Sequence, residues 1–134
     1  MISEYESSAY ADAASLMLAR LDVEAGYPDK AGNHLSRVID HSKDLAMQHI
    51  ARLRLVTLAL DQGDLDWADQ LLTSQRAGGF ESRYDELRGD VFAARNDLDN
   101  ARNAYQSALA SAVAGSVAAQ ILERKLNSVT RISD

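Results

Sequence analysis

Apolar residues in the stretch from 44 to 62 recur with the spacing of a helix that packs against two neighbours. They fall mainly on adjoining faces when the stretch is drawn as an α-helix. These positions are Leu45, Ile50, Leu53, Val56, Leu58 and Leu60. The same kind of pattern and its interruptions predict seven helices along the chain. We place them at about 8–25, 28–41, 44–62, 65–77, 82–95, 98–113 and 116–130.

Three stretches of the chain share one short motif. A Gly or Asn stands five residues before an Ala, and a large apolar residue follows that Ala by four. The motif is centred on Ala31, Ala68 and Ala101, so the spacings are 37 and 33 residues. They bracket the 34-residue period of tetratricopeptide repeats, in which each unit is a pair of antiparallel helices. The sequence therefore predicts an all-α, tetratricopeptide repeat-like α-solenoid, with an ordinary helical bundle as the alternative.

The repeats suggest how the chain is divided. We expect a single domain over residues 1–134, made of three helix pairs and a C-terminal capping helix that covers the edge of the last pair. The repeats lie at about 8–41, 44–77 and 82–113, and the capping helix at about 116–130.

The turns within the repeats carry residues that are typical of helix ends and helix starts. The first helix of a pair ends on a left-handed residue, and the second begins with a capping carboxylate or with a proline in its first turn. The left-handed positions are Gly26, Gly63 and Asn96; the helix starts are Pro28, Asp64 and Asp97. Ser82 and Asp85 resemble a capping box at the start of the next helix.

Small residues are expected where the paired helices cross. The motif Ala residues keep the second helix of each pair slim, and Gly89 does the same on the first helix of the third pair. Leu35, Leu72 and Tyr105 would then fill the space one turn further on.

Composition excludes several classes of chemistry. The chain has no Cys, so thiolate–metal sites, redox dithiols and cysteine nucleophiles are impossible. Its 20 acidic and 14 basic residues give a net charge of −6, which disfavours general binding to nucleic acids or anionic membranes. The three histidines lack metal-binding spacing, and no catalytic or nucleotide-binding motif is present. We therefore predict no metal, no cofactor and no enzymatic activity.

Protein binding is the remaining function, because the first helices of stacked pairs line a concave face. Alignment on the motif Ala residues predicts which side chains lie on that face and bind a partner. They are Leu16, Arg20, Glu24, Ile50, Leu53, Thr57, Asp61, Arg83, Glu86 and Asp90. The set lacks the Lys/Arg pair that would clamp a carboxylate terminus, so an acidic C-terminal tail is a poor candidate ligand.

Several stretches resemble one known family. They are SAYADAASLMLARLDVEAG (8–26), HIARLRLVTLALDQGDLDWADQLL (49–72) and YDELRGDVFAARNDLDNARNAYQSAL (84–109). The most specific pieces are ARLRL at 51–55 and ELRGD at 86–90. Together they resemble the periplasmic domain of the YfgM family, ancillary subunits of the Sec translocon in Gram-negative bacteria.

The resemblance implies a periplasmic location on the bacterial inner membrane and a single N-terminal membrane helix. It also implies association with the SecYEG translocon and the chaperone-isomerase PpiD, and non-enzymatic help to exported proteins. No anchor precedes Ser3 in this sequence. We therefore expect the chain to be the soluble piece of a longer protein.

Two other hypotheses remain open from the sequence. The chain could be a tetratricopeptide scaffold for another envelope assembly, such as a pilus or the outer membrane. It could also be a small enzyme that uses acids such as Asp61, Glu86 and Asp90.

Overall fold

The fold is a succession of helices joined by short turns. The computed structural model describes residues 4–72 and 78–133, with side chains from Ser8 to Thr130 outside that gap, and every regular element in these ranges is a helix. This confirms the predicted all-α, solenoid-like class. The helices are α1 (Glu4–Glu24), α2 (Pro28–His41), α3 (Leu45–Asp61), α4 (Leu65–Leu72), α5 (Glu81–Ala94), α6 (Leu98–Ser111) and α7 (Val117–Ser133).

The predicted helix bounds agree with these to within four residues wherever the structure describes the chain. The predicted end of the fourth helix, at 73–77, lies outside the described residues. The chain forms two compact units, Met1–Leu58 and Ala59–Asp134. The single domain expected over 1–134 stays a prediction.

The first unit is built on α1, α2 and most of α3. Ala31 is fully buried and Leu35 is nearly so, as the repeat motif predicts. At Gly32, an added Cβ atom would lie 3.7 Å from Leu58 and 3.8 Å from Leu55, which is ordinary contact distance. Gly32 of α2 therefore packs against the Leu55 and Leu58 side chains of α3 at a point where a methyl group would still fit.

The turns have the predicted backbone conformations. Gly26 and Gly63 have φ angles of 85° and 76°, and Asn96 has a φ of 61°. The amide of Trp67 donates to Oδ1 of Asp64 at 3.2 Å, and the Asp97 side chain accepts from an amide in the first turn of α6. Pro28 is the first residue of α2, where no amide donor is needed.

The predicted capping box at Ser82 is wrong. Helix α5 begins one residue earlier, at Glu81, so Ser82 lies inside the first turn. Its hydroxyl crosses to α6 and donates to the carbonyl of Ala108 at 2.8 Å. Asp85 accepts from Arg88 at 3.0 Å and from Ser107 at 2.8 Å, so its carboxylate is used by other donors.

The second unit contains α4 to α7, and α7 covers α6. Leu122 and Val129 are buried against residues of α6. The partners on α6 are Ala101, Tyr105 and Ala108. This is the packing expected of the capping helix, whose apolar face would otherwise be exposed.

Candidate protein-interaction surface

A cluster of charged side chains joins α5 to α7 in the second unit. Nη1 of Arg83 lies 2.6 Å from Oε1 of Glu86, and the other carboxylate oxygen of Glu86 lies 2.8 Å from Nζ of Lys125. The same ammonium group donates to both oxygens of Asp90 at 2.9 Å. Successive turns of α5 bring the predicted residues Arg83, Glu86 and Asp90 together, and Lys125 of α7 completes the cluster.

The two cations keep Glu86 ionised although it is buried. Burial alone would raise the pKa of this carboxyl. Hydrogen bonds from Lys125 and Arg83, together with their positive charges, outweigh burial and hold the pKa below its ordinary value. The side chain of Arg83 is about half exposed, so it can also reach a group on a partner.

Tyr105 of α6 forms the floor of this cluster. Its hydroxyl donates to Oδ1 of Asp90 at 2.7 Å, and its ring is buried. Burial, followed by the adjacent Asp90 carboxylate, raises the pKa of Tyr105 far above its usual value, so the phenol stays protonated and remains a donor. The hydrogen bond fixes Asp90 to α6 while the ion pair fixes it to α7.

The other predicted groove residues divide into buried and accessible side chains. Leu16 and Leu53 are buried, and Ile50 and Thr57 are partly buried. The hydroxyl of Thr57 donates to the carbonyl of Leu53 at 3.0 Å, within α3.

The accessible members of the set are charged. Arg20 and Glu24 are exposed on α1 and pair with each other at 3.3 Å, and Asp61 is exposed at the end of α3. Arg20, Glu24, Asp61 and Arg83 are therefore the predicted groove residues that a partner can reach most readily. The binding role of the whole set stays a prediction.

The sequence-based prediction missed Lys125 and the polar role of Tyr105. A signal for Lys125 was present, since it lies three residues after Leu122 and four before Val129, on the face of α7 that is buried. A cation on such a face requires an anionic partner within reach. Tyr105 was expected to fill space beside Gly89, which it does, but its hydroxyl was not assigned a partner.

No metal-binding group forms among the acidic side chains that the structure describes. Nowhere in residues 4–72 and 78–133 do three or more His, Asp or Glu side chains come together in a way that could hold an ion. Asp66 and Asp69 of α4 form ion pairs with Arg95, at 2.7 Å and 3.3 Å.

Among the helices of the described part of the chain, none combines the length and apolar character needed to cross a membrane.

The paired helices, left-handed turns and small residues at the crossings are those of a tetratricopeptide-type fold. The family model described as a tetratricopeptide repeat-like domain matches residues 1–131. The chain belongs to this family. No solved structure is similar enough to be matched to it.

Curated relatives support the more specific resemblance found in the sequence. The chain is 33% identical over 125 residues to a Neisseria gonorrhoeae protein named ancillary SecYEG translocon subunit, covering 93% of this chain and 60% of that protein. Proteins of the same name in Aggregatibacter actinomycetemcomitans and Escherichia coli K12 are 29% and 24% identical, over 96% and 90% of this chain. The chain covers 62% and 58% of their lengths. The predicted resemblance is thus confirmed, and the chain spans about three fifths of the relatives it matches.

Proposed function

We propose that this domain is a non-enzymatic protein-interaction module that associates with a bacterial Sec translocon. The observation that carries the proposal is its similarity, over nine tenths of its length, to several proteins named ancillary SecYEG translocon subunit. Membership of the tetratricopeptide repeat-like family supports a binding role, because stacked helix pairs offer extended surfaces to other proteins.

The proposed location is the periplasmic face of the inner membrane. There the module would contact the SecYEG channel and the chaperone PpiD, and would assist newly exported proteins. The stretches that resemble the YfgM family lie across the chain, from residue 8 to residue 109. The names of the relatives mention only the SecYEG translocon. The periplasmic location, the chaperone PpiD and the help to exported proteins are therefore part of this proposal.

The accessible charges suggest the chemistry of the bound segment. Arg20 and Arg83 lie within one turn of Glu24 and Glu86 respectively, so each exposed cation is accompanied by an acid. Such paired charges favour a partner segment that also carries both signs, since a purely acidic tail would meet the carboxylates as well as the cations.

The polar cluster on α5 is proposed to be structural and not catalytic. Glu86 and Asp90 are both bound to Lys125, and Asp90 also accepts from Tyr105. Their carboxylates therefore connect α5 to its neighbours. A general acid or base instead needs a pKa near the working pH, whereas the pKa of Glu86 is lowered.

Partner capture from living cells tests this function. The protein is expressed with an affinity tag from its native gene, cross-linked in its host and purified, and its partners are identified by mass spectrometry. We expect subunits of the Sec channel and a periplasmic chaperone. Recovery of cytosolic proteins alone would contradict the proposal.

A charge variant tests whether the exposed cations take part in binding. Arg20→Gln combined with Arg83→Gln removes two exposed charges, and the amide introduced at position 83 can still donate to Glu86. We expect unchanged helicity by circular dichroism and a several-fold loss of captured channel subunits. Unchanged capture by the folded double variant would argue against a role for these two charges in partner binding.

A further inference from the structure

Helix α1 carries more large apolar side chains on its outer face than on its inner face. Among the side chains of α1 that the structure describes, from Ser8 onwards, the buried ones are Asp12, Ser15, Leu16 and Ala19, and Asp12 accepts a 2.6 Å hydrogen bond from Ser42. Its exposed residues include Tyr10, Met17, Leu18 and Leu21, of which 67%, 66%, 47% and 52% are accessible. A helix that only borders the core has the opposite arrangement, with its polar face outward.

The exposed apolar residues follow the spacing of a helix-pairing seam. Tyr10, Ala14, Met17 and Leu21, here called the outer seam, are separated by four, three and four residues. This is the a/d spacing with which two helices interlock their side chains. The outer seam has no charged member, and Arg20 and Glu24 at its edge are already paired with each other. The spacing therefore favours another helix as the occupant.

The sizes of the side chains specify the direction of that helix. The first half of the outer face is rich in small residues, namely Ala9, Ala13 and Ala14, and the second half holds Met17, Leu18 and Leu21. If two copies of α1 pair antiparallel, Ala14 faces Met17 and Ala13 faces Leu18 of the second copy. In these two layers a large residue then meets a small one in both directions, as close packing requires.

A parallel pair would fit less well. Ala14 would face Ala14 and Met17 would face Met17, leaving a gap at one layer and crowding at the next. Antiparallel pairing also places Tyr10 against Leu21 at both ends of the contact. The arrangement is self-complementary about a twofold axis, which is the commonest symmetry of soluble dimers.

The available area is sufficient for a weak dimer. Each copy would contribute four large side chains to the contact, and each of them is half to two-thirds exposed. They are Tyr10, Met17, Leu18 and Leu21. With the adjoining alanines, two copies would bury on the order of 1,000 Å², near the lower limit for a specific interface. We propose that α1 of this chain pairs antiparallel with α1 of a second copy through the outer seam.

Sedimentation equilibrium of the purified 134-residue chain tests the pairing. We expect the average mass to rise with concentration from 14.6 kDa towards twice that value. Met17→Glu should weaken the dimer by at least about ten-fold, because the introduced charge would be buried in the seam. Leu45→Glu is the matched control, since Leu45 is 64% exposed on α3 and lies outside the seam. A monomer at every concentration, or equal weakening by both variants, would overturn the proposal.

An exchange of charges tests the antiparallel direction. Ala14→Lys and Met17→Glu should each weaken the dimer, and the double variant should restore it, because an antiparallel pair sets each introduced cation opposite an introduced anion whereas a parallel pair would set like charges opposite each other. All three replace exposed residues, and circular dichroism verifies that each variant is folded. Additive weakening in the double variant would overturn the proposed pairing.

Discussion

Gly89 lies so close to the ring of Tyr105 that no larger residue fits between α5 and α6. A Cβ atom added to Gly89 would stand 2.6 Å from Cδ1 of Tyr105, well inside the contact distance of two carbon atoms. The absence of a side chain at one position therefore allows the buried aromatic ring at the other. That ring in turn supports the hydroxyl that holds Asp90.

Gly89→Ala is expected to destabilise the domain even though Ala is the better helix former. Crowding against the Tyr105 ring should cost about 1–3 kcal/mol of unfolding free energy. Gly78→Ala is the control, because an added Cβ atom there meets nothing within 4 Å. Urea denaturation measures the unfolding free energy of both variants. Equal stability of the two variants would show that α5 and α6 can separate without cost.

Lys125→Met removes the cation shared by Glu86 and Asp90. It leaves two largely buried carboxylates without that partner, so we expect a loss of about 1–2 kcal/mol, reduced by the partial exposure of Lys125. Arg20→Met breaks an exposed pair and should cost less than about 0.5 kcal/mol. If thermal denaturation gives similar losses for both variants, the cluster does not tie α7 to α5.

The lowered pKa of Glu86 predicts a pH dependence of stability. Because the carboxyl is more acidic in the folded state, its stabilising effect is present above about pH 4.3 and is lost as the pH falls through the folded-state value. Glu86→Gln should therefore be less stable than wild type at pH 7, and the difference should narrow in acid. Urea titrations between about pH 7 and pH 3 measure this. A constant difference across that range would contradict the assigned ion pairs.

Asn96 has a left-handed backbone at the turn between α5 and α6. Asn96→Ala should cost about 1 kcal/mol, because an ordinary side chain is strained there, whereas Asn96→Gly should be close to neutral. Thermal unfolding compares the stability of these two variants with that of the wild type. A smaller cost for Ala than for Gly would mean that the turn does not hold this conformation.

Local chemistry made most of the fold predictable from the sequence. Turn residues such as Gly63 and Asp64 act within a few positions of themselves, and the buried Ala68 follows at a fixed distance. Because these signals depend only on neighbouring residues, they can be recognised without knowledge of the tertiary structure. The failed capping box at Ser82 shows the limit, since a hydroxyl inside a helix can bond to another helix.

The candidate surface was less predictable because it depends on contacts between helices far apart in sequence. Arg83, Glu86 and Asp90 share one helix and were predicted by alignment on the motif Ala residues. Lys125 meets them from a position 35 residues after Asp90, and no local pattern specifies that pairing. The burial of Leu16 and Leu53 likewise follows from how neighbouring helices cover them.

Site-specific photo-crosslinking in living cells tests the central proposal, which is that this domain associates with the Sec translocon through the predicted concave face. A photoreactive residue replaces Arg83 on α5 in one strain and the exposed Asn103 on α6 in another. We predict that the residue at 83 captures a Sec channel subunit or a periplasmic chaperone and that the residue at 103 does not. Equal capture at both positions, or capture of cytosolic proteins alone at position 83, would contradict the account.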